Sequence, residues 1–313
     1  MLHTIISGIS QLGNESESLL QSFSSIEYSK IKTESELKKA FNDCDIFWFR
    51  LNHKITKEIV NNSRCKYILC AATGLDHIDI KACKNNGIVV ISLKSETEFL
   101  KEVRATAEHT IGLLLALIRK TKNAFHHVEN GDWNRYAFQG FELYKKKIGV
   151  YGMGRLGKIL AEYYHALGMQ VYYYDTEEQK KHSNFIKVSS PTELCSIVDI
   201  LSIHLPYNEQ THFIVDESVL KYLKPTSFIV NTARGGVINE SDLLKLLIDK
   251  KIKGYATDVL YGEPNIKEHS LVKYAQTNEN ILITPHIGGN TFESIEKTEF
   301  FIVNKAKGII DLG

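Results

Sequence analysis

Three short segments carry side chains suited to hydride chemistry on a carbonyl compound. Val230-Asn231-Thr232-Ala233-Arg234-Gly235-Gly236 is an apolar run ending in a guanidinium at a glycine turn. Such a group binds a carboxylate through two parallel N–H bonds. Thr257-Asp258-Val259-Leu260-Tyr261-Gly262-Glu263-Pro264 places two acids at and beyond another apolar run, and Thr284-Pro285-His286-Ile287-Gly288-Gly289 places an imidazole after a third. Each has a plain explanation when taken alone, because a His beside Gly-Gly is usually a turn residue and Glu before Pro is usually surface loop. Together they supply what reduction of a 2-oxo acid needs: a cation for the carboxylate, a proton donor for the forming alkoxide, and a carboxylate that favours the imidazolium. Arg234, Glu263 and His286 are therefore the candidate catalytic residues, with Arg234 also binding substrate.

A fourth segment supplies a place for a dinucleotide. Ile148-Gly149-Val150-Tyr151-Gly152-Met153-Gly154-Arg155-Leu156-Gly157 is a strand entering a G-x-G-x-x-G turn, and a helix over Lys158–Leu167 follows. Gly152 allows the tight turn, Gly154 lets a pyrophosphate approach the backbone, and Gly157 lets helix and strand pack closely. The helix N-terminus, with Arg155 and Leu156, then meets the phosphates. The next strand ends in Asp175, about 20 residues on, where a carboxylate accepts from the adenosine ribose hydroxyls and repels a 2′-phosphate. The cofactor read from this spacing is NAD. Glu177 and Glu178 reinforce the sign, and Lys180 and Lys181 oppose it.

These pieces need a scaffold of parallel strands with helices between them. The first hundred residues offer strands at Leu2–Ile6, Asp45–Arg50, Tyr67–Cys70 and Ile88–Ile91, with helices at Glu34–Phe41, Lys57–Ser63 and Ile80–Asn85. Val103–Thr121 reads as one long helix with the apolar block Ile111–Ile118, followed by a loop at Asn130–Arg135. Six more strands follow, at Ile148–Tyr151, Val171–Tyr174, Ile200–His204, Phe228–Asn231, Tyr255–Val259 and Ile281–Thr284. Glu240–Ile248 is helical, as is the end of the chain from about Thr291. The expected fold class is α/β, with two Rossmann-like doubly wound parallel-sheet domains and the active site in the interdomain cleft. The expected substrate domain is discontinuous, 1–98 plus 291–313, around an NAD-binding domain at 99–290.

Composition narrows the function classes. With 38 Lys and Arg against 37 Asp and Glu, the net charge is +1, and no basic stripe favours nucleic acid. Tyr144-Lys145-Lys146-Lys147 is a solvated strand entrance. Cys44, Cys65, Cys70, Cys83 and Cys195 form no C-x-x-C pair and no zinc-spaced cluster, so no metal is expected and the thiols read as reduced. With no signal peptide and no apolar run near 18 residues, the expectation is a cytoplasmic protein that makes no use of a membrane.

The segments around Gly152, Arg234, Glu263 and His286 resemble, in order, the signature blocks of the D-isomer-specific 2-hydroxyacid dehydrogenase family. Ala107-Glu108-His109-Thr110, Gly131-Asp132-Trp133 and Ala72-Thr73-Gly74-Leu75-Asp76-His77-Ile78-Asp79 resemble its linking helix, the loop after it and its substrate-domain loop, so the likeness runs over essentially the whole chain. The resemblance implies that Arg234 binds and polarises the substrate, and that His286, paired with Glu263, is the acid in reduction and the base in oxidation. It gives Asp258 the nicotinamide carboxamide and the backbone at Thr73 and Gly74 the substrate carboxylate. Leu205 and Pro206, after His204, would flank the adenosine, and Thr211, Thr232, Ala233 and Gly288 would complete the cofactor site. It also implies a small 2-oxo or 2-hydroxy acid as substrate, a D-configured product and a homodimer joined through the linking helix.

Glu263 stands where the formate dehydrogenase branch has Gln, which argues against formate as substrate. The chain reads as a short phosphoglycerate dehydrogenase-like form without a regulatory domain. The stretch Leu93–Arg104 departs from the family by being longer and more acidic. Arg50, His53 and Lys54 are candidates for a substrate phosphate, with a solvated loop as the other reading. An NAD-sensing protein without turnover is the main alternative function, but no partner-docking tail is visible. An isomerase or hydrolase with tightly held NAD would need substrate machinery that is not seen.

Overall fold

A computed structural model describes residues 1–177 and 184–312. The chain divides into two compact units, residues 1–103 with 290–313 and residues 104–289. Among the described residues, no helix is long and apolar enough to cross a membrane.

The first unit holds five strands: β1 (Leu2–Ser7), β2 (Ser24–Ser29), β3 (Ile46–Phe49), β4 (Tyr67–Cys70) and β5 (Val89–Ser92). They pair in the order β2-β1-β3-β4-β5, all parallel. The central strands are apolar on both faces. Ile46 to Phe49 are wholly buried, as a parallel sheet covered by helices on each side requires. The helix Phe292–Leu312 packs one face, burying Ile302, Val303 and Ala306 with Ile6, Trp48 and Leu69. Four strands were expected here. The fifth, Ser24-Ser25-Ile26-Glu27-Tyr28-Ser29, lies on the edge and has too few apolar residues to announce itself.

The second unit holds β6 (Lys147–Tyr151), β7 (Gln170–Tyr174), β8 (Phe185–Lys187), β9 (Ile200–Ile203), β10 (Phe228–Asn231), β11 (Gly254–Thr257) and β12 (Ile281–Ile283). Their order is β12-β11-β10-β9-β6-β7-β8, again parallel, which makes it a doubly wound sheet with a seventh strand. Strand order reverses between β6 and β9, and ligands of such sheets bind at the carboxyl ends beside that point. Six strands were expected. The one missed, β8, is a three-residue edge strand.

The expected helix Val103–Thr121 is present as Ala105–Ile118, and a second helix, Thr121–Glu129, follows it where none was expected. Lys120 breaks them with a left-handed φ of 55°, a turn made without the Gly or Pro that would have marked it. The first helix buries Leu113, Leu114, Leu117 and Ile118 in the core that also holds Ile148, Val150 and Val230.

The unusual Leu93–Arg104 stretch folds onto the C-terminal helix of its own unit. It forms a short helix, Thr97–Leu100, in which Phe99 stacks on Phe301 with ring centres 4.0 Å apart. Glu96 beside it pairs with Lys305 at 2.5 Å.

Candidate active site

Every segment with candidate chemistry in the second unit sits where a strand of β6–β12 ends. Gly152 follows β6, Asp175 follows β7, His204 follows β9, Thr232 to Arg234 follow β10, Asp258 follows β11 and His286 lies just beyond β12. The buried strands set this arrangement, because each ladder fixes where its chain emerges.

The nucleotide cradle can be tested against its own backbone. A Cβ at Gly157 would lie 2.1 Å from the carbonyl oxygen of Gly152, so only glycine lets the helix Arg155–Ala166 approach the turn this closely. A Cβ at Gly154 would meet nothing within 4 Å. The backbone there faces open space at the N-terminus of a twelve-residue helix, which is what a pyrophosphate requires. Burial, with Arg104 nearby, lowers the affinity of the Arg155 guanidinium for its proton. Asp175 accepts from the Met153 amide at 2.6 Å and the Glu177 amide at 2.8 Å. A carboxylate offers about four acceptor positions, so two are left for ribose hydroxyls. Glu178, Lys180 and Lys181 lie outside the described residues.

Other expected cofactor residues divide into two kinds. The His204 ring is turned into the core, with Nε2 2.7 Å from Ser202 Oγ, and burial drives its pKa down to about 3. Its ring is therefore neutral and structural, while Leu205 is half-buried and Pro206 exposed. Thr211 donates to the Pro206 carbonyl at 2.6 Å, closing the loop between them. Thr232 donates to Thr110 Oγ1 at 2.7 Å, since the Thr110 hydroxyl itself donates to the Thr106 carbonyl. The Leu156 side chain is half-buried in the first turn of its helix.

Three turns carry the candidate reacting groups. Buried Asn231 braces the first, accepting from Ala233 N at 3.0 Å and donating to the Arg234 carbonyl at 3.1 Å. Arg234 is half-buried, and its Nη1 donates to the Ala233 carbonyl at 2.8 Å. In the second turn, Glu263 Oε2 accepts from Leu260 N at 3.0 Å, which leaves Oε1 directed at His286 Nδ1, 2.5 Å away. Nδ1–H donates to that carboxylate, so Nε2 is the nitrogen chemically able to exchange a proton.

The third turn holds His286 at a left-handed φ of 54°. Asp258 sustains it, accepting from Ile287 N at 2.8 Å, Gly288 N at 2.7 Å and Thr284 Oγ1 at 2.6 Å. His109 Nε2 lies 3.3 Å from Asp258 Oδ1 and 3.0 Å from Thr284 Oγ1. Burial pushes the Asp258 carboxyl up, but the bonds from His109, Thr284 and the two amides outweigh it and hold it below the usual carboxylate value. His109, Thr284 and Asn231 were not singled out individually from sequence. Each is a polar residue at a strand end or on the linking helix, with no motif of its own.

In the first unit, Thr73 is exposed and Gly74 half-buried in the loop that follows β4. Arg50 pairs through Nη2 with Oε1 of Glu299 at 2.6 Å, and Glu299 is only 1% exposed. His53 Nε2 lies 2.7 Å from Ser7 Oγ, and burial lowers its pKa. Two of the three groups considered for a substrate phosphate are thus otherwise engaged. Among the described residues, no cluster of His, Cys, Asp and Glu is arranged to hold a metal.

Residues 111–288 match the family described as D-isomer specific 2-hydroxyacid dehydrogenase, NAD binding domain. The chain is 30% identical over 296 residues to a D-3-phosphoglycerate dehydrogenase of Methanocaldococcus jannaschii, covering 93% of this chain and 55% of that one. The chain thus spans about half the length of that relative. It is 32% identical over 270 residues to a glyoxylate reductase of Thermofilum pendens, covering 84% and 77%. Among solved structures, an acyclic imino acid reductase in complex with NADPH and D-Arg superposes with a TM-score of 0.85 at 27% identity, covering 100% and 98%.

Proposed function

The chain belongs to the D-isomer-specific 2-hydroxyacid dehydrogenases, whose cofactor is a nicotinamide dinucleotide, and from that we propose that it interconverts a 2-oxo acid and the D-2-hydroxy acid using NAD(H). The observation that carries this reading is the His286–Glu263 pair at 2.5 Å, on strand-end turns of the same sheet that presents the dinucleotide cradle and Arg234.

When bound, the reduced nicotinamide supplies a hydride to the carbonyl carbon. Arg234 holds the substrate carboxylate by paired N–H bonds and draws electron density toward the carbonyl oxygen. His286 delivers a proton from Nε2 to that oxygen while Nδ1–H stays on Glu263. Glu263 balances the imidazolium before transfer. In oxidation the same nitrogen takes the hydroxyl proton. Gly152, Gly154 and Gly157 with the following helix hold the pyrophosphate, and Asp175 takes the ribose. The same reading gives a substrate-binding role to the Thr73–Gly74 backbone.

The test is NADH oxidation with glyoxylate, pyruvate, hydroxypyruvate, 3-phosphohydroxypyruvate and bulkier 2-oxo acids, each with and without added amine. Turnover without amine, giving the D product on chiral separation, supports the reading. Turnover only with amine reassigns the protein to imino acid reduction. No turnover despite tight NADH binding overturns it.

We also infer a homodimer. Phe125, Val128, Trp133 and Tyr136 are exposed on the segment following the Ala105–Ile118 helix, with Trp133 88% exposed. Four large apolar side chains exposed within twelve residues of chain are more than a soluble monomer usually leaves uncovered. A sedimentation mass of one chain would remove this inference.

A further inference from the structure

A second carboxylate–imidazole pair lies behind the first. Glu240, the first residue of the helix Glu240–Ile248, accepts from the Tyr261 amide through Oε1 at 3.0 Å. Its Oε2 is 2.8 Å from His269 Nε2. The side chains are only 11% and 14% exposed. His269 Nδ1 accepts from the Leu271 amide at 3.3 Å, so in the neutral ring the proton resides on Nε2 and is given to Glu240. The hydrogen-bonding capacity of this imidazole is thus spent on fixing one carboxylate.

What that carboxylate holds is the turn of Glu263. Leu260 and Tyr261 lie between Asp258 and Glu263, and Leu260 N is itself bonded to Glu263. The same stretch packs without clearance on the Arg234 turn, since a Cβ at Gly235 would lie 2.1 Å from Leu260 C and Tyr261 N. Glu240 follows that turn by a few residues and grips the far turn by its backbone. Burial pushes the Glu240 carboxyl up from its usual value, against the bonds from Tyr261 and His269, with Glu263 adding to the rise. Keeping a carboxylate here has a cost that a solvent-facing acid would avoid.

We propose that Glu240, oriented by His269, is a positioning residue that sets the Glu263 carboxylate on His286 and the Glu263 turn against the Arg234 turn. The proposal rests on the dehydrogenase reading for its kinetic consequence and on geometry alone for its spectroscopic one. Glu240 is faced by His269, Glu263 and Tyr255. The His286 ring is faced by Glu263, while Asp258, partnered by His109, holds the backbone of the His286 turn. Losing Glu240 both loosens Glu263 and removes a negative charge, and each change disfavours the imidazolium that reduction consumes.

The test compares Glu240→Ala, Glu240→Gln and His269→Asn in the full chain. His269→Asn keeps a helix-capping side chain while removing the bond to Glu240. Glu240→Ala is expected to lower kcat in reduction by about tenfold to a hundredfold with KM nearly unchanged. The decline of rate at high pH should begin at lower pH, and Glu240→Gln, which keeps an acceptor for Tyr261, should recover much of kcat. In proton NMR the His286 Nδ1–H resonance, expected downfield because that proton is bonded to Glu263, should move upfield in Glu240→Ala and in His269→Asn. An unchanged resonance and pH profile with only a lower Tm would overturn the proposal. If the wild type turns over no 2-oxo acid yet the resonance moves, the positioning role stands and the dehydrogenase reading fails. If Glu240→Ala does not fold, the His269→Asn resonance decides.

Discussion

Asp258 and His286 are joined through the backbone as well as through the turn between them. The His286 amide donates to the Asp258 carbonyl at 2.9 Å, while the Asp258 carboxylate collects the amides of the two residues after His286. A left-handed φ at a non-glycine residue is costly, and these bonds compensate for it. Replacing Asp258 by Asn leaves one acceptor oxygen for two amides. Asp258→Asn should lose about 1–3 kcal/mol of stability. It should also lose kcat as His286 leaves its place, checked by denaturant unfolding and NADH kinetics. A large loss of NADH affinity with kcat preserved would instead favour the nicotinamide-binding role that the family resemblance gives this residue.

On the proposed mechanism, His286→Gln removes the proton carrier and leaves the Gly152–Gly157 turn intact. Reduction should slow by about 10²–10⁴-fold. NADH affinity, followed by fluorescence titration, should stay within a small factor of the wild type. A variant that still turns over normally would show that the proton comes from elsewhere.

We propose that Asp175 sets cofactor choice by charge. Asp175→Ala should weaken NADH binding and relieve repulsion of a 2′-phosphate, moving the NADH to NADPH ratio of kcat/KM toward NADPH by about tenfold or more, since each 1.4 kcal/mol of interaction is tenfold. Equal losses with both cofactors would assign Asp175 to holding the Met153 and Glu177 amides alone.

His204 makes stability depend on pH. Its pKa falls from an ordinary 6.5 to about 3 on burial, so between those values the unfolded chain binds a proton that the folded chain does not. Stability therefore falls as pH drops from about 6.5 toward 3, by up to about 1.4 kcal/mol per pH unit from this residue. Other groups add their own slopes, and His53, also lowered by burial, adds one of the same sign. The His204→Gln variant should show a shallower fall in Tm over that window. An identical slope would mean that the ring is protonated inside the fold.

The central parallel strands and the strand-end chemistry were legible because buried strands are continuous apolar runs that stop abruptly at polar turns. Val230 to Arg234 is one example. The edges were not, since Ser24–Ser29 and Phe185–Lys187 face solvent on one side and owe their strand conformation to the neighbour they pair with. Helix breaks without Gly or Pro, as at Lys120, are also silent in a pattern reading. Arg234, Glu263 and His286 stood out by residue type beside glycines. Glu240 and His269 did not, because each looks like an ordinary helix-start residue and their meeting depends on the helices Glu240–Ile248 and Ser270–Ala275 packing side by side.

The missing clearance at Gly235 bears on how this protein can change. Two turns pressed backbone to backbone behave as one piece, so Arg234 on one and Glu263 on the other keep their relative placement together. Selection for a new substrate is then steered toward residues outside that piece. A saturation library at position 235, sorted for folded protein alone, should return glycine almost exclusively. Thr73, exposed in the loop after β4, should accept many residues under the same sort.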